Sequence, residues 1–139
     1  MKMQRVEIHT IQTGGNIKEN IKHASAMITV GGGTGICSGT LINNTSNDGT
    51  PYFMTANHCS GGEGSWAFRF NWRSPNPSCS TTTNSTNGSF NQTVSGSVVR
   101  ASSSQSDMEL VEITDTSFFN GNPDVVWVGW NRSTTQVPA

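Results

Sequence analysis

The chain has 139 residues, enough for one domain with a real core and short of what two would need. Charged residues are only 12% and the formal charge is -1, so no basic stripe is present to follow a nucleic-acid backbone. No apolar run approaches the length of a membrane-spanning helix, and 15 glycines among Ser/Thr/Asn-rich stretches point to an all-β chain with many turns.

In chain order, residues 1–16 have no clear period and close on the loop Thr13-Gly14-Gly15-Asn16. They lack the apolar stretch of a signal peptide. Ile17, Ile21 and Ala24 have helical spacing, which allows one or two turns. Residues 26–30 read as a strand, 31–35 as a glycine turn, and 36–42 as the second arm of a hairpin. Residues 43–50 are loop by composition, with Asp48-Gly49 as the sharpest turn signal. Residues 52–55 form the next strand, which runs into His58. Trp66, Phe68, Phe70 and Trp72 alternate with Ala67, Arg69 and Asn71, predicting four aromatic side chains on the core face of one strand. Residues 74–88 read as a surface loop, and 90–101 as a loosely alternating strand with Val94, Val98 and Val99 turned to the core. Residues 107–113 are a strand that opens on an aspartate, 118–123 a turn, and 125–130 a last strand. About seven short strands separated by Gly, Asn and Pro turns describe a barrel or sandwich.

The chemistry concentrates around Thr55-Ala56-Asn57-His58-Cys59. A histidine titrates near neutrality, so it can take a proton from a nucleophile and return it to a leaving group. Cys37 is the nearest earlier cysteine, and a disulfide to Cys59 would pin the backbone beside His58 to a neighbouring strand. That pairing would imply an oxidising compartment and leave Cys79 over, either inert or paired outside the chain. The alternative is a metal held by Cys37, His58 and Cys59, against which stands the lack of any C-x-x-C or H-x-x-x-H spacing. His9 and His23 lie in weakly patterned segments and read as solvated surface residues. A working histidine needs a buried carboxylate on its other ring nitrogen. Asp107, at the head of an apolar strand, is the best candidate; a turn-capping role is the competing reading. Asp48, Asp115 and Asp124 stand in turn-like surroundings, where aspartate caps backbone groups.

Thr55-Ala56-Asn57-His58-Cys59 resembles the histidine motif of chymotrypsin-type serine proteases. Cys37-Ser38-Gly39-Thr40-Leu41-Ile42 resembles the strand before it, and Asp107-Met108-Glu109-Leu110-Val111-Glu112-Ile113 the aspartate motif. Within that group the chain is most similar to bacterial lysyl endopeptidases, through Asn43-Asn44-Thr45, Phe70-Asn71-Trp72, Cys79 after an Asn-Pro-Ser run, and Trp127-Val128-Gly129-Trp130. The likeness covers residues 17–132.

The resemblance implies an all-β fold: the first six-stranded Greek-key barrel of a trypsin-like double barrel, plus the opening strand of the second. Residues 1–16 would be an irregular lead-in, 17–124 the barrel and 125–139 the strand beyond it. It also implies a Cys37–Cys59 bridge, His58 as general base and Asp107 as its orienting partner, with no cofactor and no metal. The substrate would be a protein or peptide, cut after lysine, with no nucleic-acid or membrane partner. The complete protein would be secreted, and the face that meets the second barrel would be exposed. The family's serine lies in a Gly-x-Ser-Gly context after the aspartate, and neither Ser117 nor Ser133 has a glycine neighbour. Ser95-Gly96-Ser97 precedes Asp107, out of family order. The expectation is therefore a fragment without its nucleophile, inactive alone. The rival readings are a non-catalytic, disulfide-stapled barrel that binds a partner, and a small stapled β domain in which His58 is incidental.

Overall fold

The computed structural model describes residues 5–6, 21–31, 33–73 and 88–130. Within them lie β1 (Arg5–Val6), β2 (Ser25–Val30), β3 (Thr34–Ile42), β4 (Tyr52–Thr55), β5 (Ala67–Phe70), β6 (Thr93–Ser95), β7 (Ser97–Ser103), β8 (Met108–Ile113) and β9 (Trp127–Val128), all in one sheet. The main path is β6-β5-β2-β3-β4-β8-β7, antiparallel throughout. Off that path, β9 runs parallel to β3 at Ile42 and Val128 and parallel to β1. The mostly-β class expected from composition is what the chain forms.

The two ends of the path are neighbours in sequence. Only Gly96 separates β6 from β7, and its φ of 87° turns the chain where a side chain would be strained and would crowd Thr114 Oγ1. Gly96 N–H donates to the Trp66 carbonyl at 2.8 Å, and its own carbonyl accepts from Thr114 N–H at 3.0 Å. The corner is thus tied to the approaches of both β5 and β8, and the sheet curls on itself.

Alternation decides what the curl encloses. Ala26 and Ile28, Leu41, Phe53, Phe68 and Phe70, and Val111 and Ile113 all point inward and are buried. Phe53 meets Phe68 edge-on at 4.9 Å between ring centroids, and Phe70 continues the cluster to Phe118 and Phe119. Each such pair contributes about 0.5–1.5 kcal/mol beyond the area it buries. Gly39 sits where β3 crosses the Phe53 ring, and a Cβ there would collide with that ring and the Met54 carbonyl.

Three expectations change. Trp66, Phe68 and Phe70 are fully buried, but Trp72 is not in the row, because Asn71 takes a φ of 51° and turns the chain out of β5. Val94 is buried while Val98 and Val99 are 46% and 41% exposed. The Gly96 corner shifts the alternation by one place, so Ser97 takes the inward position, and the ladder is irregular between Val99 and Ala101. Finally, β1 was not foreseen, and in the 125–130 run only Trp127–Val128 is strand. Of the loop predicted at 74–88, residues 74–87 lie outside the described residues, as do Cys79 and His9.

Candidate active site

β4 delivers the chain to the site. After buried Thr55 comes extended Ala56 (φ -87°, ψ 143°), then a single 3-10 turn over Asn57–Cys59. Two ties hold that turn to β3. Thr55 Oγ1 donates to the Ser38 carbonyl at 2.9 Å. Cys59 is disulfide-bonded to Cys37, with 6.2 Å between their Cα atoms. With Cys59 turned in, His58 faces outward, its side chain 71% exposed.

Asp107 closes the turn between β7 and β8 with a φ of 49°. Aspartate tolerates that region better than most residues because its short polar side chain bonds locally. Here both carboxylate oxygens go to His58. Oδ1 accepts the His58 backbone N–H at 2.8 Å, and Oδ2 lies 2.6 Å from Nδ1. The hydrogen bond from the His58 ring, with the backbone N–H second, holds the Asp107 carboxyl below the usual aspartate value. An ionised carboxylate only accepts, so Nδ1 carries the proton, and in the neutral ring Nε2 is then the acceptor. Among the described residues no hydroxyl bonds to His58. The carboxylate was expected to be buried, yet the Asp107 side chain is 52% exposed, because it stands on a turn at the sheet's end.

The donor atoms of Cys37, His58 and Cys59 lie within 4.8 Å of one another. Metal ligation by cysteine needs a thiolate, and here the two sulfurs are bonded to each other, which leaves the imidazole alone. Two of the three competing aspartates cap turns: Asp48 accepts from Thr50 N–H at 2.9 Å and Asp115 from Ser117 N–H at 3.1 Å, whereas Asp124 Oδ2 accepts from the Gln92 side chain at 3.0 Å. His23 is less solvated than expected. Its Nδ1 lies 3.0 Å from the Asp124 carbonyl, and its own carbonyl accepts from Val126 N–H, stitching residues 21–24 to the approach of β9.

Sequence reasoning missed Glu109. It points inward beside Val111 and Ile113, 2% exposed, and its Oε1 has no hydrogen-bond partner. Burial, and then the charge of Glu63, push its carboxyl above the usual glutamate value. The signal was present: Val111 and Ile113 inward in a period of two put Glu109 inward as well.

A sequence model of the lysyl endopeptidase C-terminal domain matches residues 8–139, which includes every residue of the couple and the bridge. By that match the chain belongs to the family of the lysyl endopeptidase C-terminal domain.

Proposed function

We propose that the chain carries the general base and orienting carboxylate of a secreted serine endopeptidase, His58 and Asp107, while the attacking serine is supplied from outside residues 1–139. The observation that carries this reading is the two-point contact of Asp107 with His58, one oxygen on the ring and one on the backbone. With Nδ1–H held, Nε2 takes the proton of a serine hydroxyl as it attacks a peptide carbonyl, then returns it to the leaving amine. Asp107 fixes the tautomer and stabilises the imidazolium between the two steps. No cofactor enters this chemistry.

On this reading residues 17–124 are the first, six-stranded Greek-key barrel of a trypsin-like double barrel, and 125–139 lead toward the second. In support, the spatial order β5-β2-β3-β4 is that of a Greek key, whose fourth strand returns beside the first. With β6 and β7 counted as one bent strand, the curled antiparallel sheet has six members. The exposure of the couple fits a site whose cover comes from elsewhere, since charge stabilisation in catalysis depends on excluding water. The second barrel would supply the serine, the oxyanion donors and the pocket for a lysine side chain, the specificity in the family's name. Secretion fits the disulfide, which persists in oxidising compartments.

The test has two arms. The 139-residue chain should neither cleave a lysyl amide nor react with a fluorophosphonate serine probe, and stoichiometric labelling of any of its serines refutes the placement of the nucleophile. A longer reading frame that adds a Gly-x-Ser-Gly segment should hydrolyse the lysyl amide and lose about 10⁴-fold in kcat on Asp107→Asn. Full activity in that variant refutes the role given to Asp107.

A further inference from the structure

Arg69 is a charged residue that this function leaves unused. It lies in β5 with its guanidinium carbon 4.9 Å from the centre of the Trp72 ring and 4.6 Å from that of Phe90. Its Nε is buried with no hydrogen-bond partner, and among the described residues no carboxylate pairs with it. The surroundings explain why. The chain has no aspartate or glutamate from residue 20 to 47 or from 64 to 106, the stretches that supply β2, β3, β5, β6 and β7. A guanidinium held by two rings and given no counter-charge is a fixed cation that the fold has not neutralised.

A cavity of about 370 Å³ opens in front of it, lined by Arg69, Phe90, Val30, Ser65, Thr93 and Gly33, among others. Gly33 lets the guanidinium lie against the hairpin turn, since a Cβ there would stand 2.7 Å from Nη2. The lining joins one cation, the three hydroxyl residues Thr29, Ser65 and Thr93, and an apolar wall. A lone water occupies only about 30 Å³, so a small free anion would leave most of this space unfilled.

The geometry points to an accessory site for the carboxylate side chain, Asp or Glu, of a polypeptide bound along the β2–β3 hairpin. The carboxylate meets the guanidinium, the only side-chain type that offers it a planar fork of donors. The hydroxyls of Ser65 and Thr93 already donate to the Gly62 and Phe90 carbonyls, at 2.8 and 2.6 Å, so the guanidinium is the donor the carboxylate finds here, while Phe90 and Val30 cover the methylene stem. β3 leads from this cavity toward the couple: Gly33 in the cavity wall immediately precedes it, and Cys37 of the bridge lies on it. A peptide laid along β3 from the couple comes to the Arg69 cavity. That a polypeptide comes to this face rests on the peptidase reading; the site's chemistry does not.

The experiment titrates the full ¹⁵N-labelled chain with acetyl-Glu-Ala-Glu-amide, acetyl-Gln-Ala-Gln-amide and sodium sulfate. It follows the Arg69 Nε–H and Trp72 indole N–H resonances. Saturable shifts are expected with the glutamate peptide, at least tenfold weaker with the glutamine peptide, lost in Arg69→Gln and weakened severalfold in Phe90→Leu. Equal response to the two peptides overturns the proposal, as does unchanged binding in Arg69→Gln. Saturation by sulfate with no response to the glutamate peptide overturns it too, by marking a free-anion site. Where Arg69→Gln fails to fold, the wild-type peptide pair and Phe90→Leu decide. Because the readout is binding, its failure leaves the peptidase reading standing, and failure of that reading leaves the titration unchanged.

Discussion

The Cys37–Cys59 bridge should contribute heavily to stability, as a cross-link whose Cys59 also belongs to the core cluster. Replacing both residues by alanine opens a loop spanning 22 positions. On the chain-entropy relation a loop of that length stabilises by about 3.4 kcal/mol at 25 °C. For a chain of this size the unfolding entropy is roughly 290 cal/mol/K, so the loss corresponds to a fall of about 12 °C in Tm. Urea unfolding of the oxidised wild type against Cys37→Ala/Cys59→Ala, followed by tryptophan fluorescence, measures it. The entropic account makes a second demand: an unfolded chain without the cross-link expands and exposes more surface, so the m-value should rise as the midpoint falls. A drop in midpoint with m unchanged would mean that the bridge acts through native packing around buried Cys59. No drop at all would refute the reasoning outright.

Two further outcomes follow from the core. Glu109→Gln should stabilise the protein by about 1–2 kcal/mol at neutral pH, because it removes a charge from an apolar site where one oxygen finds no donor. The native state raises this carboxyl's pKa, so its contribution is whole below the unfolded value and is lost as pH rises through the raised native one. The advantage of the glutamine variant should accordingly vanish near about pH 4, and urea midpoints equal at both pH values would sink the argument. Gly39→Ala should cost about 3 kcal/mol or more, since the new methyl meets the Met54 carbonyl and the Phe53 ring rather than a flexible side-chain end. Circular dichroism melts measure this, and a Tm within a degree or two of wild type would show that β3 and β4 can part there.

Most of the strands were legible because their signals are local. Short apolar runs marked Ala26 to Val30 and Tyr52 to Thr55, alternation marked Trp66 to Phe70, and glycines marked the turn between β2 and β3. What stayed hidden depends on partners distant in sequence. The outward turn of Val98 follows from a phase shift at Gly96, which is bonded to Trp66 on one side and Thr114 on the other. The two-residue strands β1 and β9 exist only through each other and β3. The couple was readable as residue types at family spacing, but the exposure of Asp107 was not, since it depends on what does or does not pack over a turn.

The couple and the core are one problem of register. β4 and β8 are antiparallel neighbours, so the end of β4 abuts the start of β8, and their last pair is Thr55 with Glu109. His58 follows Thr55 by three residues and Asp107 precedes Glu109 by two, which is why two side chains 49 positions apart meet at one end of the sheet. Nothing in the couple itself fixes that alignment, because both residues stand on turns. Phe53, Val111 and Ile113 fix it, as inward residues whose alternation cannot slip by one place without turning them all to solvent. Such a slip would also carry Asp107 about 3.3 Å along the strand, beyond hydrogen-bonding reach of the ring. Glu109 is the cost of this arrangement: the same alternation that aligns Asp107 with His58 commits a carboxyl two residues later to the core. Relieving it with glutamine should therefore raise stability and leave the hydrogen bonds between Asp107 and His58 unchanged.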